Sequence, residues 1–338
     1  MNERRIYSYD FIKLIGLFFI ILHHSCLMEG ILVHGYIFVE LFFLVAGFLL
    51  CMRFERKKES VPKHFAHRWL NIWPKYFLVL IIYFFAILIG KHEMPYNNFE
   101  AVFGDVILFQ ALGTPIHGGG INYPCWFLSA LLYSDLIIFI LLKIIPKKIY
   151  IVVTSIISVL FYAMMIAFYQ SSIEVWEYKY IFYIPLWRGL VAMLVGTNLF
   201  YLSKKIASVS RHLFFRIAEV ISFLGIVALC FINVPFHDYV EIFLFIILLI
   251  SSNSEKSVFD IIGKKNAVRF LCKYQYPMFL NHAWVILVVR QVLLKLSIEN
   301  TAIKIAATLL LVFAVTFILD SIYEFFIKIV RRKKNEKN

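Results

Sequence analysis

The chain has 338 residues, 62% hydrophobic, 18% aromatic and only 16% charged, with a mean hydropathy of +0.81 and a formal net charge of +13. So large an apolar fraction excludes a water-soluble globular enzyme and is the composition of a polytopic membrane protein. The basic residues come in short blocks between apolar runs, a pattern that points to membrane lipids as surroundings and argues against a nucleic-acid partner.

A helical span needs about 20 mainly apolar residues. Ten such stretches follow one another, at 9–28, 35–53, 72–90, 124–145, 149–168, 180–202, 213–232, 236–252, 269–295 and 302–327. No small-residue cleavage site follows the first run, and a second run comes almost at once, so the first is read as a retained span rather than a cleaved signal peptide. The segment 99–112 is apolar but too short to cross, and reads as a re-entrant or interfacial piece. Residues Pro62–Asn71 read as an interfacial helix feeding the third span. Basic blocks lie at Arg4–Arg5, Arg53–Lys75, Lys143–Lys148, Lys204–Arg216, Lys256–Lys273 and from Lys328 onward. The alternate connections carry only Lys91, Lys179, Lys295 and Lys304, while Lys13, Arg188 and Arg290 fall inside spans. By the positive-inside rule both ends are cytoplasmic. The expected fold is therefore an all-α integral membrane protein, a bundle of about ten transmembrane helices forming one domain over 1–338 with a basic tail at 328–338. Cys26, Cys51, Cys125, Cys230 and Cys272 lack CxxC or CxxH spacing, so free buried thiols are expected, with no disulfide framework and no metal.

The first span, DFIKLIGLFFIILHHS (Asp10–Ser25), carries charge where charge is costly. Eleven residues at ~100° each return to within about 20° of the start, so Lys13 and His24 share one face, with Asp10 about 60° and His23 about 80° away. A central Lys or Asp costs roughly 2.5–3.5 kcal/mol. Asp10 can neutralise Lys13, and Lys13 can reach towards the headgroups. His24, about 16 Å further along, has no such escape: either it hydrogen-bonds a neighbouring helix or it is a reacting group. Ser25 is expected to bond a backbone carbonyl.

Asp10-x-x-Lys13-x10-His24-Ser25 resembles the opening of the membrane-bound acyltransferase 3 family, whose first span carries an Arg/Lys-x10-His motif. GYIFVELFFLVAGFLL (Gly35–Leu50) is similar to the family's second-span segment, and HRWLNIWPKYF (His67–Phe77) resembles its Arg-x-x-Arg-Ile-x-Pro stretch, with Asn71 in place of the second arginine. YPCWFLSALL (Tyr123–Leu132), IPLWRGLVAMLVG (Ile184–Gly196) and YQYPMFLNH (Tyr274–His282) continue the likeness in order. Leu131 stands where some members carry Glu, and Gln275 and Phe279 replace a Ser and a Tyr. The resemblance implies a ten-span bundle in a bacterial plasma membrane. It would take an acyl group, most often acetyl, from acyl-CoA and pass it to a hydroxyl of a cell-surface or lipid-linked saccharide. Some members add a soluble acyl-transfer domain; here the membrane domain is expected to complete the reaction.

O-acylation needs a base for the acceptor hydroxyl or a nucleophile that first takes the acyl group, and histidine serves as either. His24 is the expected reacting group, with His23 as the competing base. Glu40, at similar depth on the second helix, is its expected carboxylate partner. Lys13 and Arg68, on the cytoplasmic side, are the expected contacts for the CoA phosphates. Arg188, Trp126, Ser129 and His282 are the expected acceptor contacts. Arg188 sits deep enough that it must face the bundle or a wet cavity. HGGGINYP (His117–Pro124) reads as a flexible lid. A second reading, an exporter of a saccharide or acyl compound, fits ten spans with buried charge, but neither paired inverted halves nor matching broken helices are visible.

Overall fold

In the computed structural model, which describes residues 6–91, 99–112, 121–170, 172–179, 182–206, 212–254 and 257–335, apolar runs become helices because hydrocarbon offers backbone groups no other partner. The long helices are α1 (Tyr7–Leu27), α2 (Phe38–Phe54), α3 (Val61–Lys91), α5 (Trp126–Ile144), α6 (Lys147–Tyr169), α7 (Ile184–Ile206), α8 (His212–Leu229), α9 (His237–Ser252), α12 (Gln275–Lys295) and α13 (Thr301–Asn335). Shorter pieces are α4 (Phe99–Val106), α10 (Val258–Gly263) and α11 (Asn266–Cys272). One small antiparallel hairpin, β1 (Tyr178–Lys179) with β2 (Phe182–Tyr183), precedes α7.

Among the described residues, eight helices are long and apolar enough to cross a membrane. Of the ten expected spans, α9 has only 16 residues, about 24 Å against a core of ~30 Å. The other, α7, interrupts its apolar run with Arg188, Thr197 and Asn198. Both nevertheless pack within the bundle, α7 against α2 and α5, and α9 against α8 and α2. The expected interfacial helix and third span merge into the single 31-residue α3. Segment 99–112 is the short α4 followed by a turn at Gln110–Leu112, so it does not cross. The sixth expected span begins later than 180, with the helix starting at Ile184 after β2 (Phe182–Tyr183). Of the proposed lid, residues 117–120 lie outside the described residues. All five cysteines are free thiols, four of them buried.

Burial sets the order of the layers. In α2, 78% of the span is buried, against 17% in both α8 and α13, whose leucines and phenylalanines face outward. Thus α2 is the axis of the bundle. Its closest neighbour is α7, and two glycines explain why. A Cβ on Gly47 would lie 2.0 Å from the Met193 carbonyl oxygen, and one on Gly196 would lie 2.1 Å from that of Leu44. Small residues let backbones touch where apolar lipid gives no hydrophobic drive to helix association. Gly196→Ala should force the two helices apart and destabilise the protein by about 1–3 kcal/mol, read as a lower thermal midpoint in detergent. An unchanged midpoint would show that the close approach is not required.

Candidate active site

A cavity of about 740 Å³ lies at the basic end of the bundle. Its walls are the N-terminal half of α1, the C-terminal half of α2, the start of α3, the middle of α5 and the start of α12. The mouth carries Lys13, Arg53, Arg56, Lys57 and Arg68; the depth is apolar, with Leu17, Phe42, Phe127 and Phe279. Lys13 and Arg68 are therefore brought together as expected. Acid groups hold the cations in place. Lys13 Nζ lies 3.3 Å from Asp10 Oδ1, and Arg68 Nη2 lies 2.8 Å from Asp135 Oδ1. The other oxygen of Asp135 takes Nε2 of buried His64, whose ring stacks on Phe139. Glu59 bridges Arg53 (3.0 Å) and His67 (2.6 Å). Burial pushes the Glu59 carboxyl up, but Arg53 and His67 outweigh it and hold it below the usual carboxylate range.

Near the far end of α1, His24 is half-buried. Its Nδ1 is 2.7 Å from the Tyr123 hydroxyl, and its ring stacks on His282, centroids 5.3 Å apart. His282 is fully buried. Its Nδ1–H donates to the Phe279 carbonyl at 2.6 Å, and its Nε2 has no partner among the described residues. Phe279 lines the cavity and its ring lies 5.6 Å from that of His282, so the apolar depth of the cavity leads to the histidine pair. With Nδ1–H donated to Tyr123, His24 Nε2 carries a lone pair, the state a base or nucleophile needs. His23 is turned away: it is buried, and its Nδ1–H donates to the Val33 carbonyl at 2.5 Å. Ser25 Oγ donates to the Ile21 carbonyl, as expected of a serine in an apolar helix.

The carboxylate expected beside His24 is elsewhere. Glu40 is fully buried, and its Oε1 accepts from Arg188 Nε at 2.8 Å, with no contact to His24. The reason is the glycine-mediated approach of α2 to α7, which sets Glu40 against the first turns of α7. Arg188 is sandwiched, its guanidinium also lying 5.1 Å from the Trp126 ring, and Trp126 meets Trp176 edge-on at 5.0 Å. A buried arginine needs such a partner. Thus Arg188 and Trp126 come together, while Ser129 does not join them: it is buried, and its Oγ accepts the Ala111 N–H at 3.0 Å. Two residues that sequence reasoning passed over matter here. Asp135 is an ionisable residue in the apolar run of α5, a signal that marks functional positions in membranes. Tyr123 carries no local signal, since its link to His24 spans 99 residues.

No curated protein and no solved structure matches the chain. The family model described as an acyltransferase domain matches residues 6–321, nearly the whole chain and all of the site just described. The chain therefore belongs to the acyltransferase 3 family and is a multi-pass membrane acyltransferase.

Proposed function

We propose that the protein is an O-acyltransferase of a bacterial plasma membrane. It takes an acyl group, acetyl by preference, from cytoplasmic acyl-CoA and passes it to a hydroxyl of a cell-surface or lipid-linked saccharide. The observation that carries this reading is the cavity itself, with a basic mouth and an apolar throat that leads towards paired histidines. Such a shape suits a phosphorylated head on a long, thin thioester arm. Lys13 and Arg68 would meet the phosphates, assisted by Arg53, Arg56 and Lys57. The reacting carbonyl would sit near His24.

Two routes are open to His24. As a base it takes the acceptor hydroxyl proton while the new C–O bond forms and the C–S bond breaks, and the thiolate leaves with CoA. As a nucleophile its Nε2 takes the acyl group while the C–S bond breaks and the CoA thiolate leaves; the acyl group then passes to the hydroxyl as the C–N bond breaks, and the hydroxyl proton goes by way of the freed imidazole to the thiolate. In both, Tyr123 orients the ring, the task assigned to Glu40 from sequence. The orphaned lone pair of His282 beside it suits a hydroxyl donor. On the opposite side, Trp126 and Arg188 offer an aromatic face and a held cation for the saccharide.

The donor half is tested by binding. In nanodiscs, Lys13→Ala and Arg68→Ala should each weaken acetyl-CoA about 10–100-fold, matching roughly 1.5–3 kcal/mol for a hydrogen bond to a charged group. A donor lacking the nucleotide phosphates should lose affinity for wild type yet bind the variants equally. Acetyl-CoA affinity indifferent to both substitutions would overturn this donor site and favour an exporter.

A further inference from the structure

At the end of the bundle opposite the basic mouth lies a second cluster, which acyl transfer does not use. His34 stands in the α1–α2 connection, and His237, Asp238 and Glu241 lie on the first turns of α9. All four are buried, the two carboxylates completely. The His237 Nδ1–H donates to the Val234 carbonyl at 3.0 Å, which leaves a lone pair on Nε2. That lone pair lies 2.9 Å from Asp238 Oδ1 and 3.1 Å from His34 Nδ1, whose N–H can donate to it. Glu241, one turn along, has an Oε2 with no partner among the described residues, and its Oε1 has only a long contact of 3.7 Å with Cys230 Sγ. Donor atoms of His237, Asp238 and Glu241 all lie within 4.8 Å of one another. Asp238 is further fixed by the Tyr36 hydroxyl at 2.9 Å and by the Ile173 N–H at 2.7 Å. The Tyr36 hydroxyl also lies 3.3 Å from His237 Nε2.

Two carboxylates buried among apolar groups need positive charge. Neither is ion-paired to a lysine or arginine among the described residues, and the nearby Arg188 is engaged by Glu40. A divalent cation would balance both carboxylates and accept the converging lone pairs. One imidazole with two carboxylates, leaving a fourth position open, suits Zn²⁺, whereas Mg²⁺ and Ca²⁺ take oxygen ligands. The Val234 carbonyl holding the far nitrogen of His237 is the outer support that ligating histidines use. We propose that His237, Asp238 and Glu241 form a Zn²⁺ site at the start of α9, next to His34 of the α1–α2 connection. Tyr36 lies against both Asp238 and the ring of His23, so the ion would brace the wall behind the reacting histidine.

The test uses the full chain in nanodiscs, stripped with a chelator. On titration with Co²⁺, a visible band of tetrahedral intensity should rise to saturation at one equivalent and vanish on adding Zn²⁺. Zn²⁺ should also raise the thermal midpoint. His237→Ala and Glu241→Gln should lose the band and bind Zn²⁺ weaker by more than the about 10–100-fold that an outer-shell change costs, while His24→Ala keeps both. A wild-type chain that takes up no Co²⁺ would overturn the site and leave a plain His237–Asp238 ion pair. Equal Zn²⁺ uptake by His237→Ala would overturn it too. The wild-type spectrum decides the matter even if a variant fails to fold.

Discussion

His24→Ala should lower acyl transfer per folded molecule by about 10²–10⁴-fold, the usual range for loss of a positioned base. The thermal midpoint should change little, because the side chain is half-buried and gives up a single hydrogen bond, to Tyr123. His23→Ala should do the reverse. It removes a buried bond to the Val33 carbonyl, so the protein loses stability while the surviving molecules turn over. The pair thus separates a reacting histidine from a packing one, although the two are adjacent in sequence and their rings lie 4.9 Å apart. Tyr123→Phe removes the group that orients His24 and should reduce kcat with little change in KM for the donor. Equal loss of rate in His23→Ala and His24→Ala, at equal amounts of folded protein, would remove His24 from its assigned role.

Arg188→Ala and Glu40→Ala should each destabilise the protein by about 3–5 kcal/mol, the cost of leaving one member of a buried ion pair alone. In the first, Glu40 is left with no partner for either oxygen among the described residues, since Oε2 already lacks one. In the second, Arg188 loses its ion-pair partner and keeps the face of Trp126. The double variant should be less damaged than the sum of the singles, because no uncompensated charge remains. Thermal midpoints of the four proteins give the coupling. The same series decides between the two possible partners of Glu40. Were Glu40 orienting His24, Glu40→Gln would alter the pH–rate profile and leave the midpoint alone; a lowered midpoint with an unshifted profile follows from its bond to Arg188.

Much of this was legible in the chain because lipid enforces simple rules. Apolar length marked ten spans; eight are helices long and apolar enough to cross, among the described residues, and the two that fall short do so for physical reasons: α9 is short, and α7 carries Arg188. The helical spacing of Lys13 and His24 placed one near the basic mouth and the other at the far end, as observed. The partners of buried charges were not legible. Glu40 and His24 have similar depth, but depth leaves rotation and neighbour open. The contact of Gly47 and Gly196 turns Glu40 to α7 instead. Arg68 was visible as a cation, yet its holder Asp135 comes from another helix. Links such as Tyr123 to His24 and His34 to His237 join residues far apart in sequence, where no periodicity speaks.

In the proposed reaction an acyl group enters from the basic face and is transferred at His24. Native membrane vesicles of both orientations, which carry their own glycans, test it directly with labelled acetyl-CoA supplied outside. Free thiol and labelled saccharide are expected only in inside-out vesicles, where the mouth with Lys13 and Arg68 meets the donor, and neither product with His24→Ala. Thiol release in right-side-out vesicles, or release undiminished by His24→Ala, would contradict it.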